Sequence, residues 1–207
     1  MFSVILPTIW KSERIFNLLS KLNDHPLVDE IILIDNSKLF AEKIKEPSKK
    51  IRLITPEVNL YVNPSWNLGV KEAKNNLICF LNDDIDFNFS VFDYIVTVED
   101  QLGLIGQHKD SYSSGNSVDD AQSFSLVETY SREWGWGCLV FGKKENWIDI
   151  PDQLKIWCGD DYIFNKTTQK KFYISGISIK TEMSTSSDLE EFNDVRNGDM
   201  ERYKQLP

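Results

Sequence analysis

Short apolar runs that end in polar residues alternate with stretches of helical spacing along the first half of the chain. Ile15, Leu18 and Leu22 recur at the period of an amphipathic helix that follows an apolar, β-branched start. Strands are predicted at 2–6, 30–34, 51–54 and 77–81, and helices over 15–22 and 64–74. Because parallel strands are joined by crossover connections, this alternation predicts an α/β fold with a mostly parallel central sheet flanked by helices.

The second half continues the alternation with shorter elements. Strands are predicted at 102–105, 125–130, 138–141, 171–174 and 178–180, and helices over 91–98, 143–148 and 160–169. The polar residues from Ser184 onward are expected to form a tail that adds little to the core. The sequence contains no internal repeat and no long linker, so we expect residues 1–207 to form a single domain.

Composition narrows the class of protein. A chain of 207 residues with 41% hydrophobic and 12% aromatic residues folds as a globular domain. Its 23 basic and 32 acidic residues give a net charge of −9, which argues against nucleic acid as a partner. No apolar stretch reaches the roughly 20 residues of a membrane span. The three cysteines show no CxxC spacing, so we expect free thiols and a cytoplasmic protein.

The strongest chemical signal follows the apolar run 77–81, where the next residues are Asn82, Asp83 and Asp84. Acidic groups at the carboxyl end of a buried strand are suited to bind a cation, although a solvated Asn/Asp turn is the alternative. Further polar clusters occur at Pro7-Thr8, at Asp35 and at Asp160-Asp161. An enzyme that handles a nucleotide diphosphate needs such groups, for base and ribose, for a divalent cation and for a general base.

These residues resemble those of a known family. The segments 3–8, 30–37, 59–69 and 80–84 occur in the order and spacing of the signatures of family 2 inverting glycosyltransferases with the GT-A fold. The Asn-Asp-Asp version of the Asp-x-Asp motif is most similar to the rhamnosyltransferase-like branch. The resemblance is closest over residues 2–86 and looser from 135 to 186. It implies a single GT-A domain with a nucleotide-sugar-binding half at 1–100, an acceptor-binding half at 101–185 and a tail at 186–207.

The resemblance also implies which residues contact the donor. Pro7 and Thr8 match the loop that surrounds the nucleotide base, and Asp35 matches the carboxylate that binds base or ribose. Asn67 and Gly69 match a helix opening near the diphosphate. The implied donor is a nucleotide-diphosphate sugar, with UDP as the favoured nucleotide.

The Asn82-Asp83-Asp84 motif is implied to bind ribose and metal. Asn82 matches the position that faces ribose, Asp83 the middle position and Asp84 the acid that binds Mn²⁺ or Mg²⁺. The family commonly has a late histidine as another metal ligand, whereas the matching segment here is 181–186 and contains Glu182 instead. Either Glu182 supplies an oxygen ligand or the metal keeps a water at that position.

The general base is implied to lie at the start of the predicted helix 160–169. Gly159-Asp160-Asp161 resembles the Glu-Asp motif of the family, with Asp in place of Glu. Asp161 is the expected base by position, and Asp160 is the second candidate. The structural alternative is that one of these residues only caps the helix, because Asp is a preferred cap residue.

The resemblance therefore implies a metal-dependent glycosyltransferase of the hexosyl-transferring type, which moves a sugar with inversion to a hydroxyl of a carbohydrate or another acceptor. It implies no membrane span and leaves oligomerisation open. Two alternatives remain. A non-catalytic nucleotide-sugar or carbohydrate-binding module would explain the missing histidine and the changes at Asn82 and Asp160. A nucleotidyltransferase is disfavoured, because the loop after the first strand lacks glycine.

Overall fold

The computed structural model describes residues 1–101, 103–112, 117–120, 122–182 and 189–206. Its helices are α1 (Arg14–Asp24), α2 (Phe40–Lys43), α3 (Val62–Glu72), α4 (Val91–Thr97), α5 (Gly159–Lys166) and α6 (Asn193–Gln205). Its strands are β1 (Phe2–Thr8), β2 (Val28–Asp35), β3 (Ile51–Ile54), β4 (Leu77–Leu81), β5 (Ile85–Phe87), β6 (Leu104–Gln107), β7 (Ser125–Glu128), β8 (Leu139–Lys143), β9 (Lys171–Ser175) and β10 (Ile179–Thr181).

Eight strands form one mixed sheet in the order β3-β2-β1-β4-β8-β6-β9-β7. The first four are mutually parallel, so their carboxyl ends meet at one edge. β8 runs antiparallel to both β4 and β6, and β9 is parallel to β6. A separate ribbon pairs β10 with β5, which brings the end of β10 next to the residues that follow β4.

The core lies on both faces of this sheet. Every residue of β1 and β4 is buried, as strands covered on two faces require. On one face, Ile15, Leu18 and Leu22 of α1 join the larger apolar cluster. On the other face, Trp66 and Val70 of α3 belong to the second cluster.

The predicted fold class is confirmed as a mixed α/β architecture with a large central sheet between helices. The helix predicted over 64–74 begins and ends two residues earlier, and the strand predicted at 102–105 occupies Leu104–Gln107, with residue 102 outside the described ranges. The short strand β5 was not predicted. None of the helices in the described ranges has the length and apolar character needed to cross a bilayer.

The expectation for the C-terminal residues is wrong in part. Residues 183–188 lie outside the described ranges, but Asn193–Gln205 forms the helix α6 rather than a tail. This helix has a polar sequence and still packs on the domain, with Tyr203 and the following Leu206 against the second apolar cluster.

Candidate active site

The parallel strands deliver three of the predicted site segments to one edge of the sheet. Thr8, at the end of β1, is paired in register with Asp35 at the end of β2. The neighbouring strand β4 ends just before Asp83, and the Thr8 hydroxyl donates a hydrogen bond of 2.6 Å to Asp83 Oδ2. The structure therefore brings Thr8, Asp35 and the acidic motif together.

Asp83 and Asp84 differ in their partners. Burial raises the pKa of Asp83 to about 6, while the Thr8 hydroxyl lowers it and the nearby Asp84 charge raises it. Burial also raises the pKa of Asp84, opposed by a hydrogen bond of 3.2 Å from the Thr181 hydroxyl to Oδ2. The other oxygen, Asp84 Oδ1, is buried and has no hydrogen-bond partner among the residues that the structure describes. A buried, unpaired carboxylate oxygen is costly unless a ligand satisfies it.

Glu182 lies beside these acids, as its predicted role requires, but it already has protein partners. Ser12 donates a hydrogen bond of 2.8 Å to one carboxylate oxygen, and Arg14 Nε lies 3.4 Å from the other. The charge of Glu182 raises the pKa of both Asp83 and Asp84. Of the segment 181–186 matched to the family, residues 183–186 lie outside the described ranges.

The chemistry of this acidic group fits a hard divalent cation. The donors are carboxylate oxygens, which Mg²⁺ and Mn²⁺ prefer, and the unpaired Asp84 Oδ1 is free to coordinate. In the part of the chain that is described, no three His, Cys, Asp or Glu side chains form a ready metal cluster. A cation held here would draw its remaining ligands from phosphate oxygens and water.

Asp35 is fully buried and its carboxylate is used internally. Oδ1 accepts hydrogen bonds from the Trp10 indole at 3.0 Å and from both the amide and the hydroxyl of Ser37 at 3.1 Å. Oδ2 accepts the amide of Phe40, at the start of α2, at 2.7 Å. The structure thus shows Asp35 shaping the loop between β2 and α2, and its predicted contact with base or ribose remains untested.

Asn67 and Gly69 lie in the middle of α3, so the prediction that they open a helix is wrong. The Asn67 side chain donates to the Ile150 carbonyl at 2.7 Å and accepts the Ile150 amide at 3.0 Å. A Cβ atom on Gly69 would lie 2.3 Å from Ile5 Cγ2, so this glycine allows α3 to approach β1. Both residues therefore make packing contacts, and their predicted contact with the donor diphosphate stays a prediction.

Pro7 and Asn82 were also predicted to contact the nucleotide sugar, and both lie at the ends of the parallel strands. Pro7 is buried within β1 itself, opposite Ile34, and not in the loop that follows the strand. Asn82 is half-buried directly after β4, and its backbone N–H donates a hydrogen bond of 3.0 Å to the Cys138 carbonyl. Asn82 therefore ties the end of β4 to the segment that enters β8.

The predicted base residues both lie in the first turn of α5. The position that precedes the helix is Cys158, in a left-handed conformation with φ of 62°, so neither aspartate occupies the cap position. Asp160 Oδ1 accepts the Asp161 amide at 3.1 Å, and burial raises the pKa of Asp160. The capping alternative is therefore not supported as the main role of these two acids.

Sequence reasoning missed Arg132, which joins both acids. Its Nη1 donates to Asp160 Oδ2 at 3.0 Å, and its Nε donates to Asp161 Oδ1. The guanidinium opposes the burial effect on the Asp160 pKa. The local sequence does not predict this contact, because 28 residues separate Arg132 from Asp160.

The metal-side and base-side acids are near enough to act on the same groups. Burial raises the pKa of Cys138 to about 12, and the charges of Asp84 and Asp160 both contribute to this rise. Burial also raises the pKa of Tyr112, whose hydroxyl donates to the Gly135 carbonyl at 2.6 Å, and the charges of the same two acids add to this rise. The segment 137–138 links the two predicted acidic clusters, because the Asn82 backbone amide bonds to the Cys138 carbonyl and a Cβ atom on Gly137 would lie 2.8 Å from Asp160 Oδ2.

Comparison with known proteins agrees with this geometry. The family model described as glycosyl transferase family 2 matches residues 3–138. The amylovoran biosynthesis glycosyltransferase AmsB of Erwinia amylovora is 24% identical over 135 residues, covering 61% of this chain and 45% of that protein. The chain thus spans less than half the length of this curated relative.

Solved structures share the fold. S. aureus TarS 1–349 in complex with UDP-GlcNAc superimposes with a TM-score of 0.63 at 18% identity, covering 94% of this chain and 64% of that chain. GalNAc-T7 with UDP, GalNAc and Mn²⁺ gives a TM-score of 0.63 at 13% identity, covering 87% of this chain and 43% of that chain. Since the family model covers more than half of the chain, the protein belongs to glycosyltransferase family 2.

Proposed function

We propose that this chain is a metal-dependent, inverting glycosyltransferase that transfers a sugar from a nucleotide diphosphate to an acceptor hydroxyl. The observation that carries the proposal is Asp84 Oδ1, just after the carboxyl end of β4, which is buried and has no hydrogen-bond partner within the described ranges. A catalytic site that must bind a cation leaves such an oxygen available, whereas a purely structural turn would pair it. The rhamnosyltransferase-like branch remains a prediction.

The donor binds at the carboxyl ends of β1 and β4 in this proposal. Thr8 holds Asp83 in place, and Asp84 coordinates Mn²⁺ or Mg²⁺. A bound divalent cation neutralises the charge that develops on the departing diphosphate. UDP is the proposed nucleotide, and the UDP or UDP-GlcNAc bound in the TarS and GalNAc-T7 structures supports this choice.

Glu182 is proposed as a second acidic group near the metal site. Its carboxylate is nearly half exposed and is paired with Ser12 and Arg14, while its negative charge acts on Asp84. Because Arg14 also lowers the pKa of Asp84, the Arg14–Glu182 pair sets the local charge balance.

The transfer itself needs one proton acceptor. Asp161 is proposed to take the proton from the acceptor hydroxyl while that oxygen attacks the anomeric carbon and the bond to the diphosphate breaks. A single displacement of this kind inverts the anomeric configuration. Asp160, more deeply placed and bonded to the Asp161 amide, is proposed to orient the base together with Arg132.

We propose that the donor and the acceptor are bound by successive parts of the chain. Residues 1–100 carry the donor half, residues 101–185 carry the acceptor half, and the acceptor is a carbohydrate or another hydroxyl compound. Cys79, Cys138 and Cys158 form no disulfide bonds, which supports a reducing, cytoplasmic setting for the proposed activity.

The assignment of the base is tested by comparing Asp161→Asn with Asp160→Asn. The Asp161→Asn variant should bind the donor normally and lose about 10²- to 10⁴-fold in turnover, because an amide cannot accept the proton. Turnover is measured as release of nucleotide diphosphate from a panel of UDP-, GDP-, dTDP- and CDP-sugars with Mn²⁺. Full turnover in Asp161→Asn together with loss in Asp160→Asn would exchange the two roles. Absence of turnover in the unmodified protein with every donor would refute the enzymatic proposal.

A further inference from the structure

The helix α6 is attached to the domain in an unusual way. Along Asn193–Gln205, all of which the structure describes, Asp199 is the only buried residue, and it is fully shielded from solvent. Surface helices normally bury an apolar stripe, so a helix whose one buried side chain is a carboxylate needs another explanation. Burying a carboxylate is costly unless several donors satisfy it.

The donors that satisfy Asp199 are three consecutive backbone amides. Oδ1 accepts the amide of Lys155 at 2.9 Å, and Oδ2 accepts the amides of Ile156 at 2.8 Å and Trp157 at 3.0 Å. Arg202, one turn later on α6, places Nη1 3.5 Å from Oδ1 and donates to the Gln153 carbonyl at 3.2 Å. Bonds between an ionised carboxylate and amides are among the strong hydrogen bonds of proteins.

The segment that Asp199 holds leads directly into the proposed base. Cys158 follows it with a φ of 62°, a conformation that costs free energy for a non-glycine residue and must be enforced by its surroundings. The next residue, Gly159, begins α5, and a Cβ atom there would lie 2.0 Å from Asn63 Oδ1. Asp160 and Asp161 follow directly after Cys158 and Gly159, whose backbone is closely constrained.

A second anchor holds the same segment from the opposite side. Asn63, in the first turn of α3, donates its amide to the Lys155 carbonyl at 2.9 Å and its side-chain Nδ2 to the Trp157 carbonyl at 3.2 Å. The amides of residues 155–157 thus point to α6, while two of their carbonyls are bound by α3. The orientation of the first turn of α5 is set between these two helices.

We infer that Asp199 is a positioning residue of the active site, which acts through the backbone of residues 155–157 to fix the direction of Asp160 and Asp161. This inference rests on the proposed function, because it names a residue that supports the proposed base. Asp199 lies outside residues 3–138 matched by the family model, and 38 residues beyond Asp161 in the chain.

The first test is hydrogen exchange, which needs no substrate. The variant Asp199→Asn keeps the size of the side chain but loses the charge, and its NH₂ group cannot accept an amide hydrogen. We expect exchange of the amides of residues 155–157, and of the hydrogen-bonded amides of Asp161 and Tyr162, to become at least about tenfold faster, while β4 amides stay protected. The control is Asp194→Asn on the exposed side of the same helix. Unchanged exchange at Asp161 and Tyr162 in Asp199→Asn would overturn the inference, whatever the activity of the protein.

The second test separates positioning from general stabilisation. With a nucleotide sugar that the unmodified protein hydrolyses in the presence of Mn²⁺, Asp199→Asn should lower kcat by about 10- to 100-fold and leave the donor KM within about twofold. In an Asp161→Asn background the same change should cost less than about threefold, because the group it positions is already disabled. An equal loss in both backgrounds, or a loss in donor KM alone, would contradict a positioning role. If the unmodified protein hydrolyses no donor, the proposed function fails and the exchange test alone decides the role of Asp199.

Discussion

The site is built from acids that differ in how the protein satisfies them. Asp35 has four internal donors, and Asp160 is bonded to Arg132 and the Asp161 amide. In the part of the chain that is described, Asp84 keeps one buried oxygen without a hydrogen-bond partner. Burial raises the pKa of Asp83, Asp84 and Asp160 alike. The free protein therefore carries stored electrostatic cost at the positions where a cation and a proton are proposed to bind.

The raised pKa of Asp83 predicts a pH dependence of stability. A carboxyl group whose pKa rises from 3.8 to about 6 on folding favours the folded state when protonated, so its contribution is present below about pH 4 and is lost as pH rises through 6. In chelator-treated protein, Asp83→Asn should remove this contribution and flatten the free energy of unfolding between roughly pH 4 and pH 7. Urea unfolding across this range measures it, with the exposed Asp152→Asn as control. Parallel curves for Asp83→Asn and the unmodified protein would contradict the prediction.

Arg132 should influence the pH dependence of turnover through Asp160. Its guanidinium stabilises the ionised form of Asp160, so Arg132→Gln should move the acidic limb of the kcat profile upward by about one pH unit. Arg132→Lys keeps the positive charge and should restore most of the original limb. A profile that does not move in Arg132→Gln, with only a uniform fall in rate, would show that Arg132 acts otherwise.

At the residue scale, the sequence indicated the acids but not their partners. Asp83, Asp84, Asp160 and Asp161 stand out because they follow or open predicted elements. Arg132 and Asp199 could not be identified, since their partners lie 28 or more residues away and depend on the fold. A polar residue in a polar stretch gives no local sign that it will be buried.

At the scale of elements, the strongest predictions came from the apolar strands. β1 and β4 are found where continuous apolar runs placed them, because strands buried on both faces leave a clear pattern. β3 is also found at its predicted place, although it is an edge strand in which Arg52 and Leu53 are exposed. β5 was missed since it has three residues within an acidic stretch, and α6 was missed since its sequence is polar on every side. Elements that are very short, or whose sequence is mostly polar, lack the apolar periodicity on which such predictions depend.

The close approach of α3 to β1 predicts a cost for filling Gly69. A methyl group there would press on Ile5, so Gly69→Ala should lower the free energy of unfolding by about 1–3 kcal/mol despite the better helix propensity of alanine. The control is Gly198→Ala in α6, where the atoms nearest to the added methyl group are those of the Arg202 guanidinium at 3.0–3.1 Å and where the helix propensity of alanine should keep the change close to neutral. Urea unfolding of both variants measures the difference, and a stable Gly69→Ala would show that α3 can shift without penalty.

At the scale of the whole molecule, the fold gathers acids from distant parts of the chain into one site. The family match ends at residue 138, whereas the fold shared with TarS covers 94% of this chain. The parallel strands place Asp83 and Asp84, and β8 returns beside β4 so that Cys138 lies within reach of the charges of both Asp84 and Asp160. The order of strands in the sheet could not be predicted from the sequence pattern, because antiparallel β8 inserts between β4 and β6, both of which precede it in the chain.

The central claim is that a nucleotide diphosphate binds together with a divalent cation at Asp84. The most direct test is the melting temperature of the unmodified protein and of Asp84→Ala with UDP, with and without Mn²⁺. At saturating ligand the unmodified protein should melt about 5–10 °C higher with UDP and Mn²⁺, and much less with UDP alone. Asp84→Ala should lose the Mn²⁺-dependent part, while Asp86→Asn, whose carboxylate pairs with Lys21, should keep it. An equal rise with and without Mn²⁺ in the unmodified protein, or a full Mn²⁺-dependent rise in Asp84→Ala, would contradict the claim.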